Sequence, residues 1–168
     1  MLALAAPLGA ATSDTPRSPS RLVFGAGFYD VIDLVEETLD LRFEYRWGWS
    51  LWVLQPWAGV EVTGEGAVYG AVGVVADFEI GPRWIFTPGA GVGLYDEGDG
   101  KDLGHAVQFR TQIEFARRFE KDTRLAFALS HISNFGLDDA NPGTEVLTVY
   151  YSIPLGRGSG DHTKERSP

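Results

Sequence analysis

The sequence predicts an all-β protein: an eight-stranded, antiparallel, up-and-down β-barrel that spans a membrane. Apolar and polar residues alternate with a period of two from residue 21 to residue 155, which is the side-chain period of a β-strand. This alternation falls into eight segments of about ten residues, the length that a tilted membrane-spanning strand needs. Several segments also carry charges opposite their apolar face. We therefore expect the apolar face to meet lipid and the charged face to line the barrel interior.

Composition and charge narrow the classes of function. The chain has 168 residues, which fits one domain, and it is rich in glycine and aromatic residues, with 21 Gly, five Trp, six Tyr and ten Phe. It has no cysteine, so a disulfide framework and a thiolate metal site are both excluded. A net charge of −9 argues against a nucleic-acid partner. No stretch approaches the roughly 20 apolar residues of a membrane-spanning helix.

The two ends of the chain do not share the strand pattern. Residues 1–11 are apolar and end in small residues, which predicts a secretory signal peptide; the positive start is missing, so we interpret it as truncated. The alternative is an apolar, disordered N-terminus. Residues 12–20 form a Ser/Thr/Pro linker, residues 21–155 the barrel, and residues 156–168 a polar tail that we expect to be disordered.

The first four strands follow from their alternation and from the turn residues between them. They are predicted at residues 22–28, 39–47, 52–62 and 68–78, and a Gly-Pro break follows the fourth. The second is the clearest, because four charged residues alternate there with leucine and aromatic residues. In the third, Gln55, Trp57 and Glu61 share the polar face.

The last four strands are predicted at residues 83–95, 107–115, 124–132 and 145–153. The fifth carries mostly glycine on its inner face. An eight-stranded barrel is too narrow for a pore, so side chains fill its interior, and charges buried there must be paired. The charged residues predicted to meet in the interior are Arg42, Arg46, Arg83 and Arg110 with Glu44, Glu61 and Glu114.

Loop length predicts how the barrel is oriented. Outer-membrane barrels keep short turns in the periplasm and longer loops outside. On that rule Gly48, Gly81 and residues 120–123 are periplasmic, whereas residues 31–38, 96–104 and 134–143 are external. The periplasmic rim then carries an aromatic belt of Trp47, Trp49, Trp52 and Trp84.

The residues that could act in catalysis lie at the external end of the last two strands. His131, Ser133 and Glu145 are the residue types of a general base, a nucleophile and an orienting carboxylate. Their spacing puts His131 and Ser133 on the lipid-facing side of one strand, and Glu145 begins the next strand with matching parity. Backbone and side-chain amides that could stabilise an oxyanion follow at Asn134, Gly136, Asn141 and Gly143.

The residues around this site also resemble a known family. His131 to Gly136 reads H-I-S-N-F-G, and Asn141 to Glu145 reads N-P-G-T-E. Together these segments resemble the signature of the outer-membrane lipid A 3-O-deacylases, the PagL-like family, and the similar layout extends over residues 21–155.

This resemblance implies a function and a role for each matching residue. The function is hydrolysis of the ester-linked 3-hydroxyacyl chain of lipid A in the bacterial outer membrane. Ser133 is then the nucleophile, His131 the base and Glu145 the orienting acid. Asn141 and the Gly136 amide are the oxyanion donors, and Asn134 is a supporting residue. No cofactor or metal is expected, and the implied partners are lipopolysaccharide and outer-membrane lipids, with a homodimer left open.

Two other functions remain open at the level of sequence. The chain could be a non-enzymatic barrel that binds lipid or supports the envelope, or a soluble lipocalin-like carrier, which would need an apolar interior. The external loop also contains four acidic residues, for which we favour a solvated loop over a divalent-cation site: Asp96, Glu97, Asp99 and Asp102.

Overall fold

The computed structural model describes residues 18–32 and 37–156 of the chain. The predicted signal peptide, most of the linker and the tail beyond residue 156 lie outside the described residues. The strands are β1 Ser20–Tyr29, β2 Thr38–Arg46, β3 Gln55–Thr63, β4 Val68–Val75, β5 Phe78–Glu79, β6 Trp84–Asp96, β7 Val107–Arg118, β8 Arg124–Ser133 and β9 Thr144–Leu155. A short 3₁₀ turn at Glu120–Asp122 connects β7 to β8.

The strands close into the predicted barrel. Consecutive long strands pair antiparallel, β4 pairs with β6, and β1 pairs with β9 along its whole length, so eight long strands form a closed ring. The two-residue strand β5 pairs with β6 alone. In residues 18–32 and 37–156, no helix has the length and apolar character to cross a membrane.

Alternating side chains divide the barrel into an apolar outside and a polar inside. On β8, Ala126 and Ala128 point inward and are buried, whereas Phe127 between them is 62% exposed. Among described residues, the buried set also contains most of the charged residues of the strands. This is the reverse of a lipocalin-like carrier, which needs an apolar interior, and that alternative is wrong.

Ion pairs neutralise the interior, as the sequence predicted. Arg46 contacts Glu44 at 3.0 Å and Glu114 at 2.8 Å, which links β2 to β7 across the barrel. Arg110 also pairs with Glu44. Arg42 contacts Asp40 at 2.8 Å and Glu61 at 2.9 Å.

One of the arginines predicted inside is not there. Arg83 is exposed, because it belongs to the turn before β6 and not to the strand, whose first residue is Trp84. Residues outside a strand do not follow its inward and outward alternation, so the prediction for Arg83 was wrong.

Two predicted strands are shorter than expected at the same end of the barrel. Residues 47–54 form a longer connection than the predicted tight turn, with Trp52 at a positive φ of 58° and β3 starting only at Gln55. The fourth strand ends at Val75, because Asp77 interrupts it. The Asp77 carboxylate accepts hydrogen bonds from Thr87 at 2.8 Å and Arg124 at 2.6 Å.

Trp57 fills the part of the interior that faces glycine. A Cβ on Gly73 would lie 2.8 Å from the Trp57 indole, and one on Gly91 only 2.5 Å from it. The Arg110 guanidinium lies over the same ring, 4.1 Å from its centroid. The glycine face predicted for the fifth long strand therefore makes room for one large side chain from β3.

The external end is closed by contacts between loops. The Lys101 ammonium contacts the buried Asp30 carboxylate at 2.6 Å, and Thr144 donates to the same carboxylate oxygen at 3.3 Å. Leu103 is 1% exposed. The loop between β6 and β7 thus folds over the barrel mouth and contacts the end of β1 and the start of β9.

Candidate active site

Strands β8 and β9 bring the predicted base and its orienting acid together. The hairpin pairs His131 directly with Glu145, so both side chains lie on the same face of the sheet. The His131 Nδ1 atom lies 2.9 Å from Glu145 Oε1. A hydrogen bond at this nitrogen leaves Nε2 as the ring atom that can exchange a proton with a third group.

Ser133 is the last residue of β8 and is paired with Phe109 of β7. His131 is paired with Thr111, two residues along β7, so the serine and the histidine share the outward face. Ser133 is nevertheless 9% exposed, whereas the His131 side chain is 47% exposed. The structure therefore puts all three predicted residues at the external end of the lipid-facing surface.

The loop after Ser133 is held by one buried side chain, that of Asn134. Its Nδ2 donates to the carbonyls of Leu103 at 3.1 Å and Ala140 at 2.7 Å. Its Oδ1 accepts from the Gly136 amide at 2.8 Å. Asn134 thus connects both ends of its own loop and ties that loop to the loop between β6 and β7. The contact with Leu103 could not be predicted from the sequence, since no pattern within either loop indicates that the two loops touch.

The predicted oxyanion donors differ in their surroundings. The Gly136 amide already donates to Asn134. The Asn141 Oδ1 accepts from the Asn134 amide at 3.1 Å, which leaves the Nδ2 group as the donor end of that side chain. Among the described contacts, the Gly136 amide is therefore already engaged, whereas the Asn141 Nδ2 group is not.

Gly143 lies against the catalytic histidine candidate. Its φ is +64°, a conformation that favours glycine, and a Cβ there would lie 3.0 Å from His131 Cε1. From the sequence, Gly143 was predicted only as an amide donor. The N-P-G order signals a turn, but contact with the imidazole depends on how the hairpin folds.

A small open hollow adjoins the pair. It has a volume of about 230 Å³ and lies on the outer surface where β7, β8 and β9 meet. Thr111, Ile113 and Leu129 line it beside His131 and Glu145. The hollow thus lies on the lipid-facing side of the barrel wall.

The acidic loop at the barrel mouth has no metal-binding geometry. Within the described ranges, no three His, Asp or Glu side chains are grouped so that they could hold a metal ion. Two of the loop carboxylates instead accept hydrogen bonds from nearby backbone amides: Asp96 from Gly98 and Asp102 from Gly104.

Comparison with known proteins identifies the family of the chain. The family model described as lipid A 3-O-deacylase (PagL) matches residues 36–154. No curated protein matches the chain in a sequence comparison. Among solved structures, the outer-membrane enzyme PagL has 22% identity and a TM-score of 0.63, covering 80% of this chain and 99% of its own.

Two further solved structures show the same fold. A de novo designed transmembrane β-barrel has 11% identity and a TM-score of 0.63, covering 84% of this chain and 98% of its own. Neisserial surface protein A has 9% identity and a TM-score of 0.57, covering 81% and 96%. At these identities the structural matches show the fold only, whereas the family model shows the activity. The chain belongs to the PagL family of lipid A 3-O-deacylases and is an ester-hydrolysing enzyme of the outer membrane.

Proposed function

We propose that the chain removes the 3-O-linked 3-hydroxyacyl group of lipid A by a mechanism that uses Ser133, His131 and Glu145. The observation that carries this proposal is the 2.9 Å contact between His131 Nδ1 and Glu145 Oε1, on the face that also presents Ser133. A carboxylate at Nδ1 fixes the tautomer in which Nε2 can accept a proton from a serine.

These positions support the following reaction. Ser133 Oγ attacks the ester carbonyl carbon, and His131 Nε2 takes the hydroxyl proton. The Asn141 Nδ2 donates to the oxygen that becomes negative in the tetrahedral intermediate. When the intermediate collapses, His131 gives its proton to the departing sugar oxygen and the acyl group stays on Ser133. Water, deprotonated by His131, then attacks the acyl carbonyl carbon. His131 returns this proton to Ser133 Oγ as the acyl-serine bond breaks, and the 3-hydroxy fatty acid is released.

The position of the site suits a substrate that stays in the membrane. Ser133 and His131 face lipid at the external end, where the sugar headgroups of the outer leaflet lie. The hollow beside His131 presents Ile113 and Leu129 to the start of the acyl chain that is cleaved. Lipid A can therefore reach the serine by lateral diffusion within its own leaflet.

The test uses purified, folded barrel with lipid A in detergent, and mass spectrometry of the products. We expect the parent to release one 3-hydroxy fatty acid and Ser133→Ala to release none above background. Ser50→Ala, in the connection at the opposite end of the barrel, is the matched control and should retain parental activity. Release of the same fatty acid by Ser133→Ala would assign the nucleophile elsewhere.

The homodimer stays a prediction, to be tested by measuring the mass of the protein in detergent.

A further inference from the structure

A second groove lies on the lipid-facing surface, on the other side of Phe109 from Ser133. It has a volume of about 600 Å³, within the roughly 300–1,000 Å³ of ligand sites in general. Its surface is almost entirely apolar. We define this second groove by Trp47, Val72, Val74, Ala90, Val92 and Phe109.

The groove exists because small side chains lie between two aromatic ones. Trp47 borders one end and Phe109 the other, and the outward residues between them on β4 and β6 are only valine and alanine. From inside the barrel, Trp57 packs against Gly73 and Gly91 and closes the floor. The barrel wall is thus thin here but remains filled from within.

Strand register relates the groove to the nucleophile. Ser133 is paired with Phe109, and Phe109 is paired with Val92 on β6. Two strand spacings of about 4.8 Å put Val92 about 10 Å from Ser133. From Val92 the groove continues to Pro56 and Trp47, at the periplasmic ends of β3 and β2. The groove therefore begins beside the active site and extends toward the membrane interior. Acyl chains of the outer leaflet run in the same direction.

We propose that the second groove holds an acyl chain of the substrate that is not cleaved, and so orients the 3-linked ester over Ser133. This inference rests on the proposed function. Lipid A carries several acyl chains side by side on one headgroup, so a chain neighbouring the cleaved one lies within reach of a groove about two strands away. Phe109 separates the two chains, with the cleaved one on the His131 side.

Physical chemistry favours a chain of the same molecule over a bulk lipid chain. Within a bilayer there is no hydrophobic gain when a chain moves from lipid to protein, so the groove acts by shape and close packing. A chain joined to the same headgroup as the scissile ester is present at a high effective concentration. Its binding also limits the orientations of the ester, which raises the rate of attack.

Ala90→Phe tests the proposal, because it fills the groove from an exposed position on β6. Val72→Phe, on the neighbouring strand, fills it from the other side and guards against a folding defect in one variant. Ala26→Phe is the matched control, since Ala26 is also an exposed, outward alanine but lies on β1, away from the groove. The folded fraction is measured by circular dichroism before each assay.

Each variant is assayed on two substrates: lipid A with its full set of acyl chains, and a p-nitrophenyl ester with a single short chain. We expect Ala90→Phe and Val72→Phe to lower kcat/KM for lipid A by about tenfold or more, and to leave hydrolysis of the single-chain ester unchanged. Ala26→Phe should match the parent on both.

Three outcomes would overturn the inference. Parental activity of both groove variants on lipid A means that the groove holds bulk lipid only. Equal losses on both substrates mean that the substitutions disturb the active site itself. An equal loss with Ala26→Phe on lipid A means that any added ring on the outer surface has this effect. Failure of the proposed function is distinguishable, because the parent would then release no 3-hydroxy fatty acid from lipid A, or Ser133→Ala would release it as well.

Discussion

Among single residues, Gly143 combines a left-handed backbone conformation with close contact to His131, the proposed base. We predict that Gly143→Ala lowers the deacylation rate by about tenfold to a hundredfold, because the new methyl group displaces the His131 ring with which it would collide at 3.0 Å. The positive φ adds a modest loss of stability. The rate is measured on lipid A, and the stability by urea unfolding in micelles.

Gly66→Ala separates the two effects. Gly66 also has a positive φ, of 85°, and lies at the same end of the barrel, but a Cβ there meets no atom within 4 Å. Gly66→Ala should therefore lose similar stability and keep its activity. If both alanine variants lose activity alike, backbone strain and not the His131 contact explains the result.

At the scale of elements, the loop between β8 and β9 depends on Asn134. Four hydrogen bonds meet at this residue, from its amide and from both polar atoms of its side chain. We predict that Asn134→Ala lowers kcat by about a hundredfold, because Asn141 moves away from the oxyanion position when the loop loosens. Limited proteolysis of the loop should become faster in parallel, while the barrel stays folded.

Asp138→Ala is the control for this element. Asp138 lies in the same loop but is exposed, and its carboxylate accepts a hydrogen bond only from the neighbouring Asp139 amide among the described contacts. Its removal should change neither kcat nor proteolysis. A parental kcat in Asn134→Ala would mean that Asn141 holds its position without the loop contacts.

The same loop shows why element boundaries matter for function. β8 continues to Ser133, so the serine keeps the register of the sheet while the chain turns immediately after it. Phe135 and Gly136 both have positive φ, and the Phe135 ring packs near that of Phe109, with centroids 5.8 Å apart. Ser133, the proposed nucleophile, is thus the last residue of a strand and directly precedes a turn.

At the scale of the whole molecule, stability depends on the charges inside the barrel. Glu44 pairs with Arg46 and Arg110 and accepts a hydrogen bond from Tyr150 at 3.3 Å. We predict that Glu44→Gln lowers the free energy of unfolding by about 3–5 kcal/mol, because it leaves an excess of buried positive charge. Urea unfolding in micelles, followed by tryptophan fluorescence, measures the change.

Glu79→Gln is the comparison at the surface. Glu79 pairs with Arg118 at the periplasmic end, and its side chain is 62% exposed. Loss of this ion pair should lower the free energy of unfolding by less than about 1 kcal/mol, since water solvates both partners. If the two substitutions lower the free energy of unfolding equally, the interior ion pairs contribute no more to stability than a surface ion pair.

The architecture could be predicted from the alternation of residues along the chain. Because side chains alternate along a strand, a run of charged and apolar residues specifies both the strand and which face meets lipid, and the prediction of eight long strands is confirmed. The same alternation predicted the inward positions of Arg42, Arg46 and Arg110 with their glutamate partners. It also placed His131 and Ser133 on the outward face. Family membership then decided for an enzyme over a non-enzymatic barrel.

Tertiary structure alone decided what depends on contacts between distant segments. Alternation does not extend past a strand end, so Arg83 could not be placed from its parity. The pairing of His131 with Glu145 required the register of the hairpin. The contact of Asn134 with Leu103, the groove beside Phe109 and the fit of Trp57 over glycines each join strands or loops far apart in the chain. A local sequence pattern specifies where a strand runs and which side chains point outward. The contacts between distant segments form only when the barrel closes.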